Sequence, residues 1–284
     1  MTATMVRGGW VNQLHGQGDV VRKRRGRAAP SDCGTIAEEF AVQKYLFTEG
    51  LAVAEPIALD EAEFTMRRIE GESDPVLTED QAVEITRAVG EFMARLHGLA
   101  WQRSGIAFRR FPLAARWESA HSALDALPGH YPILEWAIQK LRAEAPVEDR
   151  LALCHRDLRF GNCLVSPDKA RLVAVLDWEM AGIADPYEDL GWYCARCWRG
   201  SNSTLEAAGL APRQVLLDGY AAISRIVIDM DRLLFWERYA LLRWAIIALQ
   251  QGERYRHGAG GRLGLAMTPL RALEAAYDLL MDYA

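Results

Sequence analysis

Eight residues constrain this chain more than any others: His155-Arg156-Asp157-Leu158-Arg159-Phe160-Gly161-Asn162. They lie between two short apolar runs, Leu151 to Cys154 and Cys163 to Ser166. A third run, Leu172 to Leu176, follows the turn-like Pro167-Asp168 and leads straight into Asp177-Trp178-Glu179. Apolar runs of this length, separated by turn residues, read as buried strands. The pattern therefore predicts a polar loop, a hairpin, and a carboxylate at the hairpin's far end. A fold that accepts it must bring Asp157, Asn162 and Asp177 close together.

Those residue types suit one chemistry. The octet matches the spacing H-R-D-L-x-x-x-N at every fixed position. Transfer of a phosphoryl group needs an acceptor hydroxyl held in line with the γ-phosphate, and Mg²⁺ to neutralise the phosphate oxygens. Asp157, with His155 in the same loop, is the candidate catalytic element, and Asp157 accepts or orients the hydroxyl proton. Asn162 supplies a carbonyl oxygen and Asp177 a carboxylate, hard ligands that suit Mg²⁺.

Around this island the chain changes character. Before Glu70-Gly71 it reads as short strands and one helix. Val20-Val21 is strand-like. Thr35 and Glu38 form a capping box for a helix over Ile36 to Glu49, stopped by Gly50. Pro56 to Leu59 and Phe64 to Ile69 resemble strands around Asp60-Glu61. After Gly71 helices dominate. Thr78 with Gln81 opens one that reaches about His97. Others start near Pro132, run from about Met230 to Gln251, and start at Thr268-Pro269. The expectation is an α+β chain with a small mixed lobe, residues 1–70, and a larger, mainly helical lobe, residues 71–284, with the cleft near Gly71.

The segment Cys154 to Trp192 resembles the aminoglycoside phosphotransferase and choline kinase superfamily more than the protein kinases. The third motif is Asp177-Trp178-Glu179, not Asp-Phe-Gly. Asp185-Pro186 and Asp189-Leu190 follow almost at once, which leaves no room for an activation loop. The resemblance implies a bilobal protein-kinase-like fold with ATP in the small lobe. Gly8, Gly9 and Asn12 occupy the place of the nucleotide loop. Arg22 is the basic residue for the α- and β-phosphates and Glu39 its acidic partner, with Lys23 and Glu38 as the off-by-one alternatives. The Arg67 carbonyl and the Ile69 N–H sit where backbone groups meet adenine.

Within that superfamily, Asp189-Leu190-Gly191-Trp192, Trp198-Arg199-Gly200 and Phe235-Trp236-Glu237 resemble the kinase domains associated with acyl-CoA dehydrogenases. That likeness implies a hydroxyacyl-CoA acceptor. Arg196, Arg199, Arg243, Arg254 and Arg256 would suit an anion. An aminoglycoside would instead want carboxylates, such as Glu274, Asp278 and Asp282. A catalytically silent nucleotide-binding module is the reading from another class, and it predicts loss of the base or a metal ligand.

Other classes fit poorly. A net charge of -5 gives no footprint for nucleic acid. The most apolar long stretch, Leu233 to Leu249, is broken by Glu237, Arg238 and Arg243, which argues against a membrane span. Five cysteines without a leader-like start point to free thiols in a cytoplasmic protein. Cys194 and Cys197, a C-x-x-C pair, read as core thiols.

Overall fold

The computed structural model describes residues 4–5, 12–26, 33–147, 150–258 and 263–283. The chain opens with strands β1 (Thr4–Met5), β2 (Asn12–Gln17) and β3 (Val20–Arg25), helix α1 (Ile36–Thr48), and strands β4 (Pro56–Leu59) and β5 (Glu63–Arg67). The strands form one antiparallel sheet in the order β1-β2-β3-β5-β4. Then come β6 (Glu72–Ser73), α2 (Glu79–His97), α3 (Leu113–Asp125) and α4 (Pro132–Ala143). Short strands β7 (Ala152–Cys154), β8 (Cys163–Val165), β9 (Leu172–Val175) and β10 (Gly182–Ala184) follow. The rest is α5 (Tyr187–Cys194), α6 (Arg213–Ser224), α7 (Met230–Arg256), α8 (Leu263–Met267) and α9 (Leu270–Asp282).

The two capping boxes form as expected. Thr35 Oγ1 accepts from the Glu38 N–H, and the Glu38 carboxylate accepts from the Thr35 N–H. Thr78 and Gln81 do the same for α2. Both satisfy backbone donors that the first helical turn leaves unpaired. The start of α9 differs from expectation. Pro269 flanks it without a side-chain cap, and Thr268 Oγ1 donates back to the Gly264 carbonyl instead.

The compact units do not follow a boundary at Gly71. One comprises residues 1–110, 152–183 and 214–226; the other comprises 111–151, 184–213 and 227–284. The cause lies just after Gly71. Strand β6 pairs with β8, so the chain leaving the five-stranded sheet joins the β8–β9 hairpin. Gly71 is pressed against that hairpin, where a Cβ would lie 2.7 Å from Leu164 Cγ and the Val165 carbonyl oxygen. The Val175 N–H also donates to the Ala52 carbonyl at 2.8 Å. The β8–β9 hairpin thus belongs to the same unit as the N-terminal sheet.

The first unit is organised around Leu46, Phe64, Ile85, Met93, Leu96 and Trp178, all essentially inaccessible. Helix α2 carries the apolar face, and Gly90 on that face lets α6 approach. A Cβ there would lie 2.1 Å from the Leu216 carbonyl. The second unit is helical and centred on α7. Its core includes Ile138, Leu141, Trp192, Tyr193 and Trp236. Among the described residues, no helix is long and apolar enough to cross a membrane.

Candidate active site

Helix α1 and strand β3 build the first half of the site. The buried positions of α1 are Ile36, Glu39, Val42, Gln43 and Leu46, a helical stripe that carries Glu39 inward. On β3 the alternation turns Lys23 inward beside it. Lys23 Nζ lies 2.5 Å from Glu39 Oε1 and 2.6 Å from Asp177 Oδ1. Glu39 Oε1 also accepts from the Trp178 N–H at 3.1 Å. One carboxylate oxygen therefore ties the sheet lysine to the backbone just after Asp177.

This corrects the expected register. Arg22 was the expected partner of Glu39, yet it points to the opposite face of β3. Its side chain is 53% exposed and 3.9 Å from Glu63, whereas the Lys23 side chain is 5% exposed. The physical reason is the two-residue period of a strand: pairing Lys23 with the buried Phe64 commits Arg22 to the outside.

The second half comes from the octet. Burial would raise the Asp177 carboxyl, but Lys23, helped by His155 and Arg159, holds it below the usual aspartate value. Burial is also the main influence on Glu39, and it pushes that carboxyl up despite Lys23. Burial alone would lower Lys23; Asp177, Glu39 and Glu179 together hold it well above its usual value, so it stays charged. Asp177 has φ 69° and ψ 65°, and Arg156 has φ 66°. Left-handed backbone at a non-glycine residue costs on the order of 1 kcal/mol. Asp177 is itself a candidate site residue, and Arg156 immediately precedes another, Asp157.

His155 is fully buried. Its Nδ1 accepts from the Asp157 N–H at 3.2 Å, which assigns the proton to Nε2, 2.9 Å from the Leu176 carbonyl. The imidazole holds the loop to the strand before Asp177. His155, expected beside Asp157 as a catalytic residue, has a ring with no exposed surface and a nitrogen on each of two backbone groups. Its ring also packs on Trp178, with centroids 4.5 Å apart.

Asn162 Nδ2 donates to the Asp157 carbonyl at 2.8 Å and to Asp157 Oδ2 at 3.1 Å. The Asn162 carbonyl accepts from the Leu176 N–H at 2.8 Å. Asp157 and Asp177 each keep a quarter of their side-chain surface exposed. Arg159 Nε lies 3.9 Å from Asp157 Oδ2, a cation that sequence reading passed over because its loop position shows no period. The amide orientation at Asn162 turns its Oδ1 away from Asp157. An amide oxygen and a carboxylate then remain as hard donors, a set that fits Mg²⁺.

Gly8 and Gly9 lie outside the described residues, and Asn12 opens β2. At the expected adenine segment, Arg67 places its N–H on the Glu55 carbonyl at 2.8 Å. Its side chain pairs with Asp19 and Glu55. Ile69 is half-buried after β5.

Four of the five arginines read as an anion site are engaged within the second unit. Arg199 and Arg213 meet Glu237 at 3.1 and 2.8 Å. Arg196 meets Asp278 at 3.0 Å, Arg243 lies 3.9 Å from Glu188 and over the Trp192 ring, and Arg256 pairs with Glu253. Cys194 and Cys197 are buried free thiols, and burial pushes both up, which makes them poor nucleophiles.

The mouse "Acyl-CoA dehydrogenase family member 10" is 27% identical over 195 residues, covering 62% of this chain and 18% of that protein. The "4-hydroxytryptamine kinase" of Psilocybe cubensis is 27% identical over 169 residues, covering 55% of this chain and 46% of that protein. The chain thus spans under a fifth of the first relative and under half of the second. The crystal structure of spectinomycin phosphotransferase in complex with ADP and spectinomycin superposes with a TM-score of 0.68 at 15% identity. It covers 98% of this chain and 92% of that one, which establishes the protein-kinase-like fold. Residues 6–235 match the phosphotransferase enzyme family, and the chain belongs to that family.

Proposed function

We propose that this protein transfers the γ-phosphate of Mg·ATP to a hydroxyl group of a small molecule. The observation that carries the reading is the joining of two carboxylate-bearing clusters in one compact unit. Lys23–Glu39–Asp177 supplies a fixed cation and a charged carboxylate. Asp157–Asn162 supplies a quarter-exposed acid on the adjoining hairpin. Retention of Asp157, Asn162 and Asp177 speaks against a silent module.

In this reading Lys23 holds the α- and β-phosphates, and Glu39 keeps the ammonium in place. Asp177 and Asn162 would hold Mg²⁺, which when bound neutralises the phosphate oxygens. Asp177 gives one oxygen to Lys23 and keeps the other for the metal. Asp157 orients the acceptor hydroxyl and takes its proton as the new O–P bond forms and the bond from the γ-phosphorus to the bridging oxygen breaks, with ADP as the leaving group. Backbone groups of Arg67 and Ile69 would meet the adenine, and the segment containing Gly8, Gly9 and Asn12 would cover the phosphates.

For the acceptor we favour a hydroxyacyl-CoA thioester, and the support is likeness to the acyl-CoA dehydrogenase family member. Electrostatics add nothing to that choice, because Arg196, Arg199 and Arg243 already face carboxylates. A hydroxylated amine is the second reading, favoured by the 4-hydroxytryptamine kinase likeness. The test is an ADP-release screen of the pure protein against hydroxyacyl-CoAs, hydroxyindole amines, choline and aminoglycosides, with phosphate esters identified by ³¹P NMR. A phosphorylated thioester is the expected product. Turnover of an aminoglycoside alone would return the protein to the antibiotic reading.

A further inference from the structure

Three successive backbone carbonyls just past Asp177 meet guanidinium groups. Arg109 Nη2 donates to the Glu179 carbonyl at 2.7 Å and to the Ala181 carbonyl at 3.3 Å. Between them, the Met180 carbonyl accepts from Arg156 Nη1 at 3.3 Å. The Glu179 carbonyl also accepts from the Gly34 N–H, at the threshold of α1, at 2.7 Å. These residues are the 3₁₀ turn Trp178–Met180 that follows Asp177, and the residue that closes it.

So short a turn has little of its own to hold it. Its internal bond, from the Ala181 N–H to the Trp178 carbonyl, is 3.1 Å long, and 3₁₀ geometry is weaker than α-helical. Yet it adjoins Asp177 in left-handed backbone, a conformation that persists only where the surroundings over-determine it. Glu39 supplies one restraint through the Trp178 N–H, and Arg156 supplies another from beside Asp157. Arg109 comes from the segment between α2 and α3, 70 residues before Glu179 and in the same compact unit. Its own backbone is fixed, since the Arg109 carbonyl accepts from the Ile183 N–H at 2.8 Å. The guanidinium therefore reaches the turn from an anchored base.

We propose that Arg109 is a positioning residue for the Asp177 carboxylate: it clamps the turn after Asp177 against the start of α1, and so sets Asp177 relative to Lys23 and Asn162. This rests on the reading of Asp177 as a Mg²⁺ ligand. Arg109 acts through the two carbonyls and touches neither nucleotide nor acceptor. The chemistry suits the task, because Nη2 carries two N–H groups, one for each carbonyl. Gly34 closes the clamp from the other side. A Cβ there would lie 3.3 Å from both Arg109 Nη2 and the Glu179 carbonyl oxygen, so Gly34→Ala wedges the same contact with Arg109 still in place.

The test is calorimetric titration of ATP into the full chain with and without Mg²⁺. Arg109→Met should lose about tenfold in Mg·ATP affinity, the scale expected for a group that orients a metal ligand, with metal-free ATP binding within about twofold of wild type. Arg109→Lys should recover part of the loss. Gly34→Ala should shift Mg·ATP affinity in the same direction, and it decides the matter where Arg109→Met fails to fold. Amide hydrogen exchange at Trp178 and Ala181 should quicken in both Arg109→Met and Gly34→Ala. A residue that merely stabilised the fold would lower the urea midpoint and leave the Mg²⁺ dependence alone. Wild-type Mg·ATP affinity in a folded Arg109→Met protein, or an equal loss with and without Mg²⁺, overturns the proposal. Wild-type protein that binds ATP no better with Mg²⁺ than without it would instead remove the reading of Asp177, and the proposal with it.

Discussion

Both compact units bury networks of charge, and they balance them differently. In the first unit Lys23 is shared by two carboxylates, Glu39 and Asp177, and Asp177 stays partly open to solvent. The surplus is anionic and accessible. In the second unit Glu188 sits between Arg116, at 2.6 Å, and Arg243, and Glu237 sits between Arg199 and Arg213. The surplus there is cationic, and aromatic faces take it up. Arg116 lies over Trp236 and Tyr239, and Arg243 over Trp192, at 4.4 to 5.4 Å from the ring centroids. A closed network of this kind holds helices together. An open one with a spare carboxylate is prepared for a cation from outside.

The largest expected effect breaks the open network at its acid. Asp157→Asn should lower kcat about a thousandfold, equivalent to ~4 kcal/mol of barrier, and leave the melting temperature almost unchanged in calorimetric scans. Retained turnover would remove Asp157 from the chemistry.

Breaking the closed network should instead be felt in stability. Glu188→Ala removes the carboxylate shared by two buried guanidiniums and should cost about 3 kcal/mol of unfolding free energy in urea titrations. A change below about 1 kcal/mol would mean that the remaining contacts, among them the Phe111 carbonyl at Arg116 and the aromatic faces, suffice to hold Arg116 and Arg243.

Lys23→Met touches both properties and sharpens the contrast. It should lower kcat/KM for ATP about a hundredfold. It also leaves Glu39 buried without its cation. Burial already raises that carboxyl in the folded protein, and without Lys23 it rises further. The folded protein then binds a proton that the unfolded chain has released. Stability of the variant should fall as pH rises from the unfolded glutamate range near ~4.3 toward the raised folded value. Urea unfolding at pH 5 and pH 8 checks this, and equal losses at both would place Glu39's charge elsewhere.

Arg22→Ala is the smallest. An exposed pair 3.9 Å from Glu63 should contribute under ~0.5 kcal/mol, with kcat/KM within about twofold of wild type. A hundredfold loss here would reinstate Arg22 as the phosphate residue.

That last pair of variants also marks how far the sequence can be read. Asp157, Asn162 and Asp177 were legible because loop spacing and the apolar strands around them set their positions. Capping boxes placed the starts of α1 and α2 for a local reason: both partners lie within one turn. The phase of β3 was not legible, since Arg22 to Arg25 is basic at every position and Val20 and Val21 put one apolar residue on each face. Arg116 with Glu188 was hidden because 72 residues separate them. The arginine-rich segment looked like an anion site only while its carboxylate partners were invisible.

The central claim is that Asp177 serves the metal–nucleotide complex and Asp157 the acceptor. Calorimetric titration of Mg·ATP into wild-type, Asp157→Asn and Asp177→Asn protein, with and without Mg²⁺, addresses it directly. The account predicts that wild-type and Asp157→Asn protein bind alike, while Asp177→Asn loses the Mg²⁺-dependent part of the affinity. Loss of Mg·ATP binding in the Asp157 variant alone would contradict it.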